Sequence, residues 1–294
     1  MKITKLINSC LTIVLTCSMA FGMPAQVLAS EKAVPAAVEK AGNSVVKIEV
    51  LCNTDLGDNM VYSTCSGFLI NDLQVVAVNQ MVPTDGKVRD SMHHMGIDVK
   101  ECFIQVTSAS GEHVRAVFVK SDGEKDIAIL QLDNRLSGCG GLPVRSSSDL
   151  EGNEECFSIC YPVVMGYDTD PDALIISPIG IDSLYTTDDN DYILFNAGGH
   201  QIEGGGPLVD ASGNLIGIIY GFDTENSSDC AIASETLMSG LNGMGVNYTR
   251  AGDNSGADAS SGEEETGGAQ RSDDQPLPAV PSNGRFQFIL QAAP

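Results

Sequence analysis

Residues 200–221 read HQIEGGGPLVDASGNLIGIIYG. Two short apolar runs, PLV and LIGIIYG, are joined by DASGN, in which Asp210, Gly213 and Asn214 are turn-favouring residues. The stretch predicts a β-hairpin entered through Gly204, Gly205, Gly206 and Pro207. Consecutive glycines at such an entry mark a place where the backbone must approach something closely. The same texture extends outward. From 45 to 235 the chain reads as short β segments broken by turn residues: SVVKIEVLC, YSTCSGFLIN, QVVAVNQMV, ECFIQVTS, HVRAVFVK, DIAILQLD, ECFSICYP, ALIISPIG, YILFN, PLVD, NLIGIIYG and CAIA. Strands of this length, with no helix-period segment between them, predict an all-β antiparallel barrel or sandwich. Twelve of them suit two barrels of six, barrel one at about 40–135 and barrel two at about 150–235. The turn-rich stretch RLSGCGGLPVRSSSDLEGN lies between them. Short helices are expected at the two ends, over 31–42 and 234–243.

The first 29 residues have the layout of a secretory signal peptide. Lys2 and Lys5 precede a mostly apolar run, and small residues lead up to Ser30, with cleavage expected after Ala29. No other run approaches the roughly 20 apolar residues that a spanning helix needs. The expectation is an exported protein, secreted or at the cell surface, with no membrane insertion once the signal is removed. The 294-residue chain carries a net charge of −23; loss of Lys2 and Lys5, with no acids lost, takes it to −25. A surface this acidic repels nucleic acid and anionic lipid. Trp is absent, so no stacking platform for bases is evident. From 251 to 294 the composition turns to Gly, Ser, Asp, Glu and Pro, which predicts a disordered acidic tail. The final RFQFILQAAP is apolar again and too short to span a membrane.

Two of the nine cysteines, Cys10 and Cys17, leave with the signal. The remaining Cys52, Cys65, Cys102, Cys139, Cys156, Cys160 and Cys230 are odd in number, so at least one is free or intermolecular. Cys52 and Cys65 flank the turn NTDLGDN and are the expected disulfide pair. Cys156 and Cys160 are four apart in an extended run, roughly 13 Å along a strand and too far to bond. No C-x-x-C occurs, which argues against a structural zinc site.

The order of segments resembles the trypsin-like serine peptidases, in particular their HtrA (Deg-type) branch. AVEKAGNSVVKIEV is similar to that family's opening strand. CSGFLINDLQVVAVNQMV resembles the strand-turn-strand unit that delivers the catalytic histidine. VRAVFVKSDGEKDIAILQLD resembles the unit carrying the catalytic aspartate, and LPVRSSSDLEGNEECFSICYP the stretch leading to Ile-Gly-Asn-Pro. NAGGHQIEGGGPLVDASGNLIGI aligns without a gap to the Gly-Asn-Ser-Gly-Gly-Pro-Leu segment. The resemblance covers about residues 35–247 within a domain of 30–250, and implies a trypsin-like double six-stranded antiparallel β-barrel.

It also assigns positions. Acyl transfer by this family needs a hydroxyl nucleophile, an imidazole base and a carboxylate that orients the imidazole. Asp126 stands at the carboxylate position and matches. Gln80 stands at the histidine position, and its amide is not a base. Gly204 stands at the serine position and has no side chain. Ile202 replaces the oxyanion-hole glycine, and Glu203 puts a negative charge where negative charge would develop. No Ser, Thr or Cys lies between Gly198 and Asp210 to take the nucleophile's place. His93, His94, His113 and His200 read as loop histidines. MHHM, at 92–95, is the one cluster that soft-metal ligation would single out; the expectation is no metal and no cofactor. The resemblance therefore implies a secreted pseudo-peptidase that binds an extended peptide or protein along a strand edge. The alternatives are an active serine endopeptidase with a non-standard site, and a structural cell-surface module.

Overall fold

The computed structural model describes residues 33–150, 154–162, 170, 172–187, 190–196, 204–223 and 228–253. The expected signal peptide, the tail from 254 onward, His200, Ile202 and Glu203 lie outside the described residues.

Six strands form the first barrel: β1 (Val45–Thr54), β2 (Met60–Leu69), β3 (Gln74–Val78), β4 (Val99–Ser108), β5 (His113–Asp122) and β6 (Ile127–Leu132). They close in the order β1-β2-β3-β6-β5-β4. The second barrel holds β7 (Cys156–Cys160), β8 (Ile175–Thr186), β9 (Asp191–Asn196), β10 (Pro207–Asp210), β11 (Leu215–Asp223) and β12 (Ser228–Ala233). Its ring, β10-β11-β12-β9-β8-β7, repeats the same connectivity. Each barrel is thus two three-stranded meanders joined along two seams, β1 with β4 and β3 with β6 in the first. The trypsin-like double β-barrel that the segment order implied is the architecture of the protein.

Period-two alternation explains how three cores coexist. In β3, Val75 and Ala77 fill barrel one, while Val76 and Val78 face outward into the space between the barrels. In β6, Leu130 and Leu132 point inward, whereas Ile127 and Ile129 join that same shared core. From barrel two, Phe157, Ile159, Val209, Ile218 and Ile232 meet them. The interior of barrel two is separate, built on Ile179, Ile193, Phe195, Leu208 and Ile216. Strands β3, β6, β7 and β10 are therefore buried on both faces, and this fixes their register.

Helix α1 (Ala36–Gly42) starts directly after Pro35, whose ring sets its φ near the −60° seen there. Helix α3 (Ser234–Gly243) buries Leu237 and Leu241, an i,i+4 pair, in the shared core. A further helix, α2 (Asp85–His94), was not expected from the sequence. It is polar except for Val88 and Met92, which pack on barrel one, and Arg89 pairs with Asp85 at 2.8 Å. The MHHM cluster closes this helix: Met92 is in the core, whereas His93, His94 and Met95 are exposed. The four side chains do not share a face, and the described residues hold no group of three or more His, Cys, Asp or Glu arranged around a metal.

The strand register corrects the expected disulfide. Cys52 lies opposite Met60 in the β1–β2 pairing, and Cys65 lies opposite Ile48. Cys65 is thus five residues further along β2, roughly 16 Å away, well beyond the reach of a disulfide. The turn between them is flanked asymmetrically: Cys52 sits at its edge, opposite the first residue of β2, whereas Cys65 lies in the second half of that strand.

Candidate functional site

The three positions that the resemblance singled out sit where the barrels meet. Strand β3 ends at Val78 and runs into a 3₁₀ turn, Asn79–Met81, that carries Gln80. Asp126 immediately precedes β6, whose register pairs Val78 with Ile127. Adjacent strand ends thus place Gln80 and Asp126 together although they are 46 residues apart. The Gln80 backbone N–H donates to Asp126 Oδ1 at 3.0 Å, and the Asn79 N–H donates to the Asp126 carbonyl at 2.9 Å. The Gln80 amide nitrogen donates to Asp126 Oδ2 and, at 2.8 Å, to the hydroxyl of Tyr220 on β11. That hydroxyl in turn donates to the Asp126 carboxylate. Tyr220 is held edge-on to Tyr192, with ring centroids 6.4 Å apart, and Tyr192 stacks on Tyr185 at 5.2 Å.

Asp126 is one of two non-glycine residues in the left-handed region among those described, with φ 54°. Aspartate tolerates that conformation better than most residues, and here the strained backbone aims the carboxylate at its donors. Burial pushes the Asp126 carboxyl above the ordinary aspartate range. Bonds from the Gln80 N–H, the Tyr220 hydroxyl, the Gln80 amide and Asn79 pull it back without overcoming that effect. Burial, and then the charge of Asp126, push the Tyr220 phenol up as well. As arranged, donors occupy the carboxylate on both oxygens, and the group beside it is an amide that donates and does not accept a proton.

Gly204 stands at the entry of the β10–β11 hairpin. A Cβ built there would overlap Cε of Met81 and lie 3.0 Å from its sulfur and 3.3 Å from the Tyr220 carbonyl. The thioether of Met81, next to Gln80, thus covers the position from which a side chain at 204 would emerge. Gly205 has φ 91°, and a Cβ on it would overlap the Ser66 carbonyl of barrel one. Its N–H donates to the Ile219 carbonyl at 2.8 Å, and Ile219 N–H donates to Gly206 at 2.9 Å. The glycine run is therefore the close approach that the sequence announced, between the two barrels and the floor of β11. Ser66, the neighbouring hydroxyl residue, is fully buried and accepts the Tyr161 N–H at 2.8 Å. Past the entry, Asp210 locks the turn by accepting from Ser212, Asn214 and Arg145.

Gln80, Asp126 and Gly204 thus converge around Tyr220 and Met81; Ile202 and Glu203 lie outside the described residues. Tyr220 and Met81 were not singled out in the sequence. Their signal was weak: Tyr220 reads as the last aromatic of an apolar strand, and Met81 as filler after Gln80. A surface concavity lined by Asn71, Gln131, Arg135 and Gly141 contains none of these groups. The pairing of β11 with β10 ends at Ile218, whereas its pairing with β12 continues to Asp223.

Two closed six-stranded antiparallel barrels of the same connectivity, with Gln80, Asp126 and Gly204 at their junction, form the trypsin-like class of double barrel. Residues 65–218 match the family model described as a trypsin-like peptidase domain. That span is just over half of the 294-residue chain, and the chain belongs to this family. Among solved structures, the Rv3671c protease of M. tuberculosis in its active form superposes with a TM-score of 0.53 at 18% identity, covering 74% of this chain and 90% of that one. A serine-to-alanine mutant of the same protein, in its inactive form, gives a TM-score of 0.52 at 18% identity, covering 72% and 91%. At such identity the likeness is one of fold. Comparison with curated protein sequences finds no match.

Proposed function

We propose that this protein is a non-catalytic member of the trypsin-like peptidase family, exported from the cell, that binds extended peptides or protein segments at the junction of its barrels. The observation that carries the reading is the state of Asp126. Its carboxylate is taken up by the Gln80 backbone and amide and by Tyr220, where a peptidase would present it to an imidazole. The covering of Gly204 by Met81 supports the same reading, since the place of a nucleophile is occupied by a methyl group. Binding is favoured by β11: among the described residues, no strand pairs with Gly221–Asp223 on the side of β10. An extended chain added there would gain main-chain hydrogen bonds in the manner of β-augmentation.

Purified full-length protein incubated with casein and with a fluorophosphonate probe is expected to give no turnover and no labelling. Turnover or labelling that persists through repurification and is lost on mutation of a serine of this chain overturns the proposal in favour of an active endopeptidase. An array of extended peptides is expected to show enrichment that Gly221→Pro weakens. No enrichment for any extended sequence favours a structural module.

A further inference from the structure

We propose that Cys52 and Cys102 form a disulfide across the β1–β4 seam, stapling the two meanders of barrel one. The two residues are Cα partners in the antiparallel β1–β4 register, between Leu51↔Phe103 and Asn53↔Glu101. Directly opposed residues on antiparallel strands have Cα atoms about 4.5–5.5 Å apart, within the window of about 4.4–6.8 Å that a disulfide spans. Their sulfurs already face each other, 3.9 Å apart. No other cysteine is an in-register partner of a cysteine among the described strands. Both side chains belong to the core of barrel one: Cys52 is fully buried, and Cys102 is half-buried at its edge. The guanidinium of Arg89, held by Asp85 and the Val99 carbonyl, lies close enough to act on both sulfurs.

The reaction is a thiol–disulfide exchange with an external disulfide, either a low-molecular-weight one or that of a thiol oxidase. The half-exposed Cys102, as thiolate, attacks the external disulfide, forms a mixed disulfide and releases one thiol. The Cys52 thiolate then attacks Cys102 Sγ and displaces the second thiol. Two thiols of the chain lose two protons and two electrons, and the external disulfide is reduced to two thiols. Burial, and then the neighbouring Cys52, push the Cys102 thiol up to about 12. Exchange in the folded protein is therefore slow at neutral pH and accelerates about tenfold per pH unit as the thiolate fraction rises. The bond closes a loop between positions 50 residues apart, in the range where a cross-link strongly restricts the unfolded chain.

The test is peptide mapping of the full chain, folded, equilibrated with oxidised glutathione at pH 8.5, quenched in acid and alkylated without reductant. The expected product is a linked peptide pair containing Cys52 and Cys102, two hydrogens lighter than the sum and separated by reduction, with Cys65 and Cys139 alkylated. Alkylation of both Cys52 and Cys102, or linkage of either to another cysteine, overturns the assignment. Adding reductant is expected to lower the thermal midpoint of the oxidised protein by roughly 5–15 °C and to leave that of Cys102→Ala unchanged. An equal response of the two proteins also overturns it. Cys139→Ser, at a cysteine outside the seam, is expected to behave as the unaltered chain.

Discussion

A serine at position 204 would have to share space with the methyl of Met81, but methionine is unbranched and its tip can swing aside. A side chain at 205 meets a backbone carbonyl that cannot move, and does so from a left-handed φ. The two neighbouring glycines should therefore respond differently. Gly204→Ala is expected to lower stability by about 1 kcal/mol or less, and Gly205→Ala by roughly 2–4 kcal/mol; urea midpoints measure both. Asp126 yields a second residue-scale prediction. Its folded-state pKa is raised, so the stability it contributes is fully present below the ordinary aspartate range and is lost as pH rises through the raised value. Measured between pH 3 and 7, the stability of the parent protein relative to Asp126→Asn is expected to fall with rising pH. A flat difference would show that the hydrogen bonds cancel the effect of burial. Asp126, Gln80 and Gly204 were legible in the sequence because a family pattern fixes their spacing. Tyr220 and Met81 were not, because their role arises from strands of different barrels meeting in space, which no local pattern encodes.

Among the elements, each of the twelve strands could be located in the chain from its apolar run and bounding turn residues, although β8 continues past ALIISPIG through the largely exposed residues 181–186. Helix α2 could not: only Val88 and Met92 repeat on its buried side, and the remaining positions read as a polar loop. The expected Cys52–Cys65 pair failed for a related reason. Residues flanking a turn are opposed only if both lie equally far from it, and Cys52 pairs with Met60, the first residue of β2, five positions before Cys65. Helix α3 carries an element-scale prediction through Glu235, which accepts from the Ser146 and Ser147 hydroxyls and the Ser147 and Ser148 N–H groups. Burial alone would raise the Glu235 carboxyl, but these serine bonds outweigh it and hold it below the usual glutamate range. A lowered pKa contributes stability above the ordinary value that is lost as pH falls through the folded one. Glu235→Gln is expected to lower stability by about 1–3 kcal/mol at pH 7, with the gap narrowing as pH drops below about 4. Guanidinium melts at the two pH values check it.

Over the whole molecule, a net charge of −23 sets like charges against one another across two barrels that must stay in contact. Screening should relieve that repulsion. Raising sodium chloride from 10 to 150 mM is expected to raise the thermal midpoint by roughly 2–4 °C, and a fall would show that attractive ion pairs dominate. The division into two barrels was legible from strand count and from the turn-rich stretch near 135–150. The third core was not, since Val76 and Val78 read the same whether a strand's outer face meets solvent-side loops or a second barrel. That shared core also governs the timing of assembly. Each ring closes through pairings distant in sequence, which form slowly, and the junction that unites Gln80, Asp126, Tyr220 and Gly204 exists only after both rings have closed and docked. A nascent chain with one finished barrel thus lacks that junction, and the peptide binding proposed above would report that both barrels have formed and docked.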